Sequence, residues 1–287
     1  MKRIITLLLS ALILTAICCA CGNQKNSGDK AANDATSATT AATADEKSAD
    51  KTEIVVFAAA SMTETLESLA KTYQASHSEI EITYNFDSSG TLKTQIEEGA
   101  VCDLFISAAQ KQMNGLEEGG YIDNATRLDL LENKVALCVA ENSKSGITSY
   151  ADMKSHLEAG DILMAIGNED VPVGQYTQKI FAYYDLDESA LKDKGVLTYG
   201  SNVKEVTTQV SEGTVDCGVI YQTDAFSANL KVADTATEEM CGQVIYPAAV
   251  LNKSAHADEA KAFLAYLQTA EASKVFEGVG FTPLATK

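Results

Sequence analysis

Basic side chains are scarce in this chain. Lys and Arg number 22 against 40 Asp and Glu, which gives a formal net charge of −18. That balance argues against nucleic-acid binding, which needs a basic footprint. It also argues against long-range steering of anions, so a bound anion would have to be held by local neutral donors. There is no Trp, and Pro occurs three times. No Gly-Lys-Ser or Gly-Lys-Thr is present, so the chain carries no P-loop. H-E-x-x-H and G-x-S-x-G are missing too, which removes the common signatures of zinc proteases and of serine hydrolases. No C-x-x-C pair occurs beyond the first 21 residues, which argues against a zinc site. The three histidines, His77, His156 and His256, are far apart in polar surroundings and read as surface residues.

What is present fits a globular extracytoplasmic protein. The 287 residues are 46% hydrophobic and 22% charged, enough for a large core and two lobes. Lys2 and Arg3 precede an apolar run over 4–17, too short for a confident membrane span. Cys18-Cys19-Ala20-Cys21-Gly22-Asn23 follows and looks like the end of a bacterial lipoprotein signal. Cys21 is the candidate lipidated residue, with Cys19 as the alternative; an ordinary secretory signal remains open. Residues 21–51 are mostly small and polar, without periodicity, and read as a solvated tether. Cys102, Cys138, Cys217 and Cys241 show no framework spacing and read as single buried thiols.

The body begins with an apolar strand, Ile54-Val55-Val56-Phe57, and three alanines. Ser61 then opens a helical pattern with Met62, Leu66, Leu69 and Tyr73 on one face. Ser61-Met62-Thr63-Glu64 fits a capping box, whose role is to start the helix. Alternatively, the free N–H groups of the first turn and the helix dipole could hold a small anion there. The pattern recurs at Ile80-Glu81-Ile82-Thr83-Tyr84-Asn85-Phe86, where Asp87-Ser88-Ser89-Gly90 leads into a helix. Strands at 103–107, 135–140, 162–166, 217–221 and 244–251 continue it, with helices between. Such alternation predicts α/β architecture with mostly parallel sheets. Ser61, Ser89, Val173 and Val203 each lie where a turn becomes a helix, and Tyr221 ends a strand. In open parallel sheets ligands bind beyond the carboxyl ends of strands, so these positions could converge on one cleft.

With these residues assembled, the chain resembles the periplasmic molybdate-binding proteins of ABC transporters over residues 53–281. The resemblance is carried by Val56-Phe57-Ala58-Ala59-Ala60-Ser61-Met62-Thr63, Phe86-Asp87-Ser88-Ser89-Gly90-Thr91-Leu92 and Ala100-Val101-Cys102-Asp103-Leu104-Phe105-Ile106-Ser107-Ala108. Val171-Pro172-Val173-Gly174, Gly218-Val219-Ile220-Tyr221-Gln222-Thr223-Asp224-Ala225 and Ile245-Tyr246-Pro247-Ala248 extend it. It implies a two-lobed type II periplasmic-binding fold, with sheets flanked by helices and a ligand cleft between the lobes. The expected lobes are 52–133 with 245–287, and 134–244, behind a signal peptide over 1–20.

The resemblance also implies a non-enzymatic protein without a cofactor, whose ligand is a tetrahedral oxyanion, molybdate and with it tungstate. Ser61 and Ser89 would each give a hydroxyl and a backbone N–H, Val173 and Val203 a backbone N–H, and Tyr221 its phenol. Molybdenum would thus be bound as its oxyanion, with no direct protein–metal bond. The implied partners are a permease and an ATPase on separate chains, and the membrane through the N-terminal lipid. The protein is expected to be a monomer at the outer face of the cell membrane. Gly90 replaces a Ser that relatives can carry, and Asp87 is expected to face outward. Rival readings are the same fold with sulfate, phosphate or a small carboxylate, a secreted hydrolase using Ser61, and a structural lipoprotein with a vestigial cleft.

Overall fold

The computed structural model describes residues 51–285. The expected leader over 1–20, the lipidated Cys21 and all but the end of the tether lie outside the described residues. In chain order the elements are β1 (Thr52–Ala59), a 3-10 turn (Ala60–Met62), α1 (Thr63–Ser76), β2 (Ile80–Asp87), α2 (Ser89–Glu97), β3 (Leu104–Ile106), α3 (Gln110–Glu118) and β4 (Leu128–Asn133). Then come β5 (Val135–Val139), α4 (Tyr150–Ala159), β6 (Met164–Gly167), α5 (Pro172–Tyr183), α6 (Glu188–Lys194), β7 (Leu197–Gly200), α7 (Val203–Ser211), β8 (Cys217–Tyr221), α8 (Gln222–Ser227), β9 (Lys231–Thr235) and α9 (Glu238–Cys241). β10 (Val244–Val250), α10 (Ala257–Tyr266), α11 (Ala270–Val279) and β11 (Thr282–Pro283) complete the body.

The strands form a six-stranded sheet, β11-β4-β10-β3-β1-β2, and a five-stranded sheet, β7-β6-β8-β5-β9. The chain leaves the first sheet after Asn133 and returns to it at Val244. Pairing is mixed rather than mostly parallel. β2-β1-β3 and β7-β6-β8 are parallel. β3-β10, β10-β4, β4-β11, β8-β5 and β5-β9 are antiparallel. The parallel strands other than β7 are the strand–helix units legible in the sequence. The antiparallel strands carry the chain between the sheets and back, so no crossover helix is needed to orient them. β4, β7 and β9 are absent from the periodicity reading.

The central strands are buried on both sides. Ile54, Val56 and Ala58 of β1 pack into the main core, whereas Phe57 points to a second cluster with Phe105, Leu92, Met113 and Leu116 under α2 and α3. This alternation follows from the two-residue period of a strand. Fully burying a side chain such as Phe57 stabilises by about 1.5–3 kcal/mol, so these strands hold the turns at their carboxyl ends in fixed places. Cys102, Cys138, Cys217 and Cys241 are buried free thiols. Among the described residues no helix is long and apolar enough to cross a membrane.

Candidate functional site

β1 ends at Ala59, and the chain turns directly into the 3-10 segment holding Ser61. The expected capping box does not form. Ser61 lies inside the 3-10 turn, α1 has Met62 at its N-cap, and no side chain caps either segment. The Ser61 Oγ instead lies 2.9 Å from the Tyr246 hydroxyl, and Glu64 pairs with Lys204. The reason is burial: Ser61 is 4% exposed and turned toward β10, away from the helix axis.

β2 ends at Asp87, and Ser88 caps α2 by accepting from the Thr91 N–H at 3.1 Å. That leaves Ser89 as the first helical residue, fully buried, with its Oγ accepting from the Ala108 N–H at 2.9 Å. α5 starts with Pro172 after Val171, without a side-chain cap, so the Val173 N–H belongs to the unpartnered first turn. Gly174 permits this start, because a Cβ there would come within 2.3 Å of the Asn168 carbonyl oxygen. α7 begins at Val203 behind Asn202, whose side chain accepts from the Glu205 N–H. Tyr221 ends β8 and is 1% exposed.

These five residues line one cavity. Its wall comprises Ala59, Ala60, Ser61, Asp87, Ser88, Ser89, Ala108, Val171, Pro172, Val173, Val203 and Tyr221. Ser61 and Ser89 come from one sheet's turns, Val173, Val203 and Tyr221 from the other's. The Tyr221 hydroxyl is buried and has no hydrogen-bond partner. Its burial pushes the phenol well above its ordinary pKa, so the proton stays on the oxygen. A cavity of helix starts and hydroxyls, with an orphaned phenol at its wall, suits a small species that only accepts hydrogen bonds.

Asp87 departs from expectation. It lines the cavity rather than facing outward. Its Oδ1 accepts from the Ser88 N–H at 2.7 Å and from the Asn202 Nδ2 at 3.2 Å, so donors are set against the charge from both sheets' turns. Sequence reasoning also missed Tyr246 and Asn133 behind Ser61, and the buried Asp224 beside Lys204. Tyr246 falls in an apolar run that gave no sign of a polar role. Burial raises the Asp224 carboxyl to about 6, partly offset by Lys204 at 3.4 Å.

The three histidines are not among the lining residues, so Ser61 has no imidazole base. No group of three or more His, Cys, Asp or Glu among the described residues could hold a metal ion. A wider hollow near the start of α6 holds Glu169, Glu188 and Lys192; its two carboxylates make it a poor anion site.

Two sheets with a donor-lined cavity between their turns define a two-lobed solute-binding protein of the periplasmic type. The chain belongs to the bacterial extracellular solute-binding proteins, whose family model matches residues 54–282. It is 37% identical over 234 residues to YvgL of Bacillus subtilis, provisionally named an ABC transporter substrate-binding lipoprotein, covering 81% of this chain and 87% of that one. It is 34% identical over 243 residues to the molybdate-binding protein ModA of Escherichia coli, covering 82% and 90%. The fold also matches the periplasmic molybdate-binding protein of Azotobacter vinelandii, with a TM-score of 0.70, 20% identity and coverage of 80% and 98%.

Proposed function

We propose that this protein captures molybdate, and with it tungstate, and delivers it to an ABC permease served by a separate ATPase chain. The observation that carries the reading is the convergence of Ser61, Ser89, Val173, Val203 and Tyr221 on one cavity. A fully ionised oxyanion has only acceptors, and each neutral donor facing it contributes about 1.5–3 kcal/mol. Molybdate and tungstate are fully ionised at neutral pH, whereas phosphate keeps part of its protons. The names of the relatives support the same ligand and a role in binding rather than catalysis. Anchoring through Cys21 at the outer face of the membrane rests on the leader-like sequence and agrees with the lipoprotein name of YvgL. In this reading the two lobes, 52–133 with 245–287 and 134–244, close on the ligand, expel water and complete the donor shell.

Thermal unfolding with a panel of anions tests the proposal. Molybdate at about 100 times its Kd adds roughly 2.7 kcal/mol of stability, and tungstate acts alike. A shift with sulfate or phosphate, and none with molybdate or tungstate, would overturn it.

A further inference from the structure

We propose that Asn133 and Tyr246 are positioning residues that hold Ser61 as a hydrogen-bond donor to the ligand. The inference rests on the oxyanion reading of the cavity. Its starting point is the Asn133 carboxamide, 3% exposed at the end of β4. The Asn133 Oδ1 accepts from the Lys134 backbone N–H at 2.8 Å. A backbone N–H can only donate, so the orientation of the amide is fixed. Its Nδ2 then donates to the Thr223 Oγ1 at 2.9 Å and to the Tyr246 hydroxyl at 3.2 Å.

The Tyr246 oxygen thus receives a hydrogen and must place its own elsewhere. The Ser61 Oγ, at 2.9 Å, is its partner. Tyr246 is fully buried, and burial pushes its phenol well above its ordinary pKa, so that hydrogen is always present. Ser61 accepts it and keeps its own hydrogen for the cavity. Ser89 reaches the same state by another route, since its Oγ accepts from the Ala108 N–H at 2.9 Å. The Tyr221 hydroxyl has no protein partner. These three hydroxyls are therefore free to donate to one guest, while the fourth on the wall, that of Ser88, is engaged by Thr91. Asp87 is the one carboxylate on that wall, and its Oδ1 is occupied by Ser88 and Asn202. The chain Asn133, Tyr246, Ser61 sets the polarity of the site against a guest that presents a proton there.

A double-mutant cycle on the full-length protein, read by calorimetry with molybdate, tests this. Tyr246→Phe keeps the ring and removes the relay, and weakens binding by about 5- to 10-fold. Ser61→Ala weakens it further, by about 10- to 100-fold. If Tyr246 acts through Ser61, Tyr246→Phe costs nothing more in the Ser61→Ala background. Asn133→Asp puts an acceptor where Nδ2 donates, turns the Tyr246 hydrogen away from Ser61, and weakens molybdate more than Tyr246→Phe does. Equal losses from Tyr246→Phe in both backgrounds, or no loss in the wild-type background, would overturn the relay while leaving the molybdate reading intact. Wild-type protein that binds sulfate but not molybdate overturns the ligand assignment, and the same cycle with sulfate still decides the relay. Wild-type protein that binds none of the oxyanions overturns both.

Discussion

Two buried residues near the cavity have unmet demands of opposite kind. The Tyr221 phenol has a hydrogen to give and no acceptor, which costs about 1–3 kcal/mol when a polar group is truly dry. Tyr221→Phe should therefore weaken molybdate binding by about 10-fold or more, yet melt no lower than wild type without ligand. A parallel fall in affinity and unliganded Tm would make Tyr221 a packing residue. Asp224 is the reverse case, a carboxylate in a dry place whose ion-pair partner among the described residues is Lys204 at 3.4 Å. Its pKa, raised from 3.8 to about 6 when folded, means that the folded state holds the proton more tightly. The resulting penalty is full above about pH 6 and fades as pH falls toward 4. Asp224→Asn should accordingly stabilise relative to wild type by about 1 kcal/mol more at pH 8 than at pH 5. Denaturant melts at the two pH values check this, and a gap of the opposite sign would mean that the Lys204 pair dominates.

The site's working units at the next scale are helix starts, and their packing decides what may stand at their first turns. Gly90 is the second residue of α2, and a Cβ there would lie 2.1 Å from the Asp170 carbonyl oxygen on the loop before α5. In a helix Gly→Ala is favourable by about 1 kcal/mol, whereas forced overpacking costs about 1–3 kcal/mol. If the loop meets α2 only when the lobes close, Gly90→Ala should raise the unliganded Tm and weaken molybdate by about 5- to 100-fold, as calorimetry would read it. Lower stability without ligand and unchanged affinity would mean that this contact is permanent.

The starts of α2, α5 and α7 were legible in the sequence because a strand, a turn residue and an amphipathic run leave local marks. Ser61's helix start was also legible, but its partner was not. The capping box is a pattern over four neighbours, while the bond to Tyr246 spans 185 positions. For the same reason β4 and β9 escaped notice: their burial alternates weakly, and their pairing is set by distant strands. Asp87 was misread because its donor Asn202 lies 115 residues away.

At the scale of the whole molecule, contacts between the two sheets' elements surround the cavity. Lys204 reaches both Glu64 oxygens at 2.9 Å, Asn202 reaches Asp87, and the Gln112 side chain meets Gln175 at 3.5 Å. The exposed Lys204–Glu64 ion pair contributes only about 0.2–1 kcal/mol, and a neutral hydrogen bond such as Gln112–Gln175 about 0.5–1.5 kcal/mol, so the guest must supply most of any closing energy. That guest has to approach a strongly acidic body. The first 50 residues hold equal numbers of acidic and basic side chains, so the whole charge of −18 lies in the rest of the chain. A dianion is repelled at long range and held only by short-range donors, and salt separates the two effects. Raising ionic strength from about 0.01 to 0.15 M shortens the Debye length from about 30 to about 8 Å. It screens the repulsion but leaves buried hydrogen bonds nearly untouched. The association rate of molybdate should therefore rise with added sodium chloride, by a few-fold, while dissociation stays constant. With no Trp in the chain, stopped-flow tyrosine fluorescence can follow it, and Tyr221 at the wall is a natural reporter. An association rate that falls with salt would mean that a local positive field draws the anion in. The neutral-donor account of the site would then be wrong.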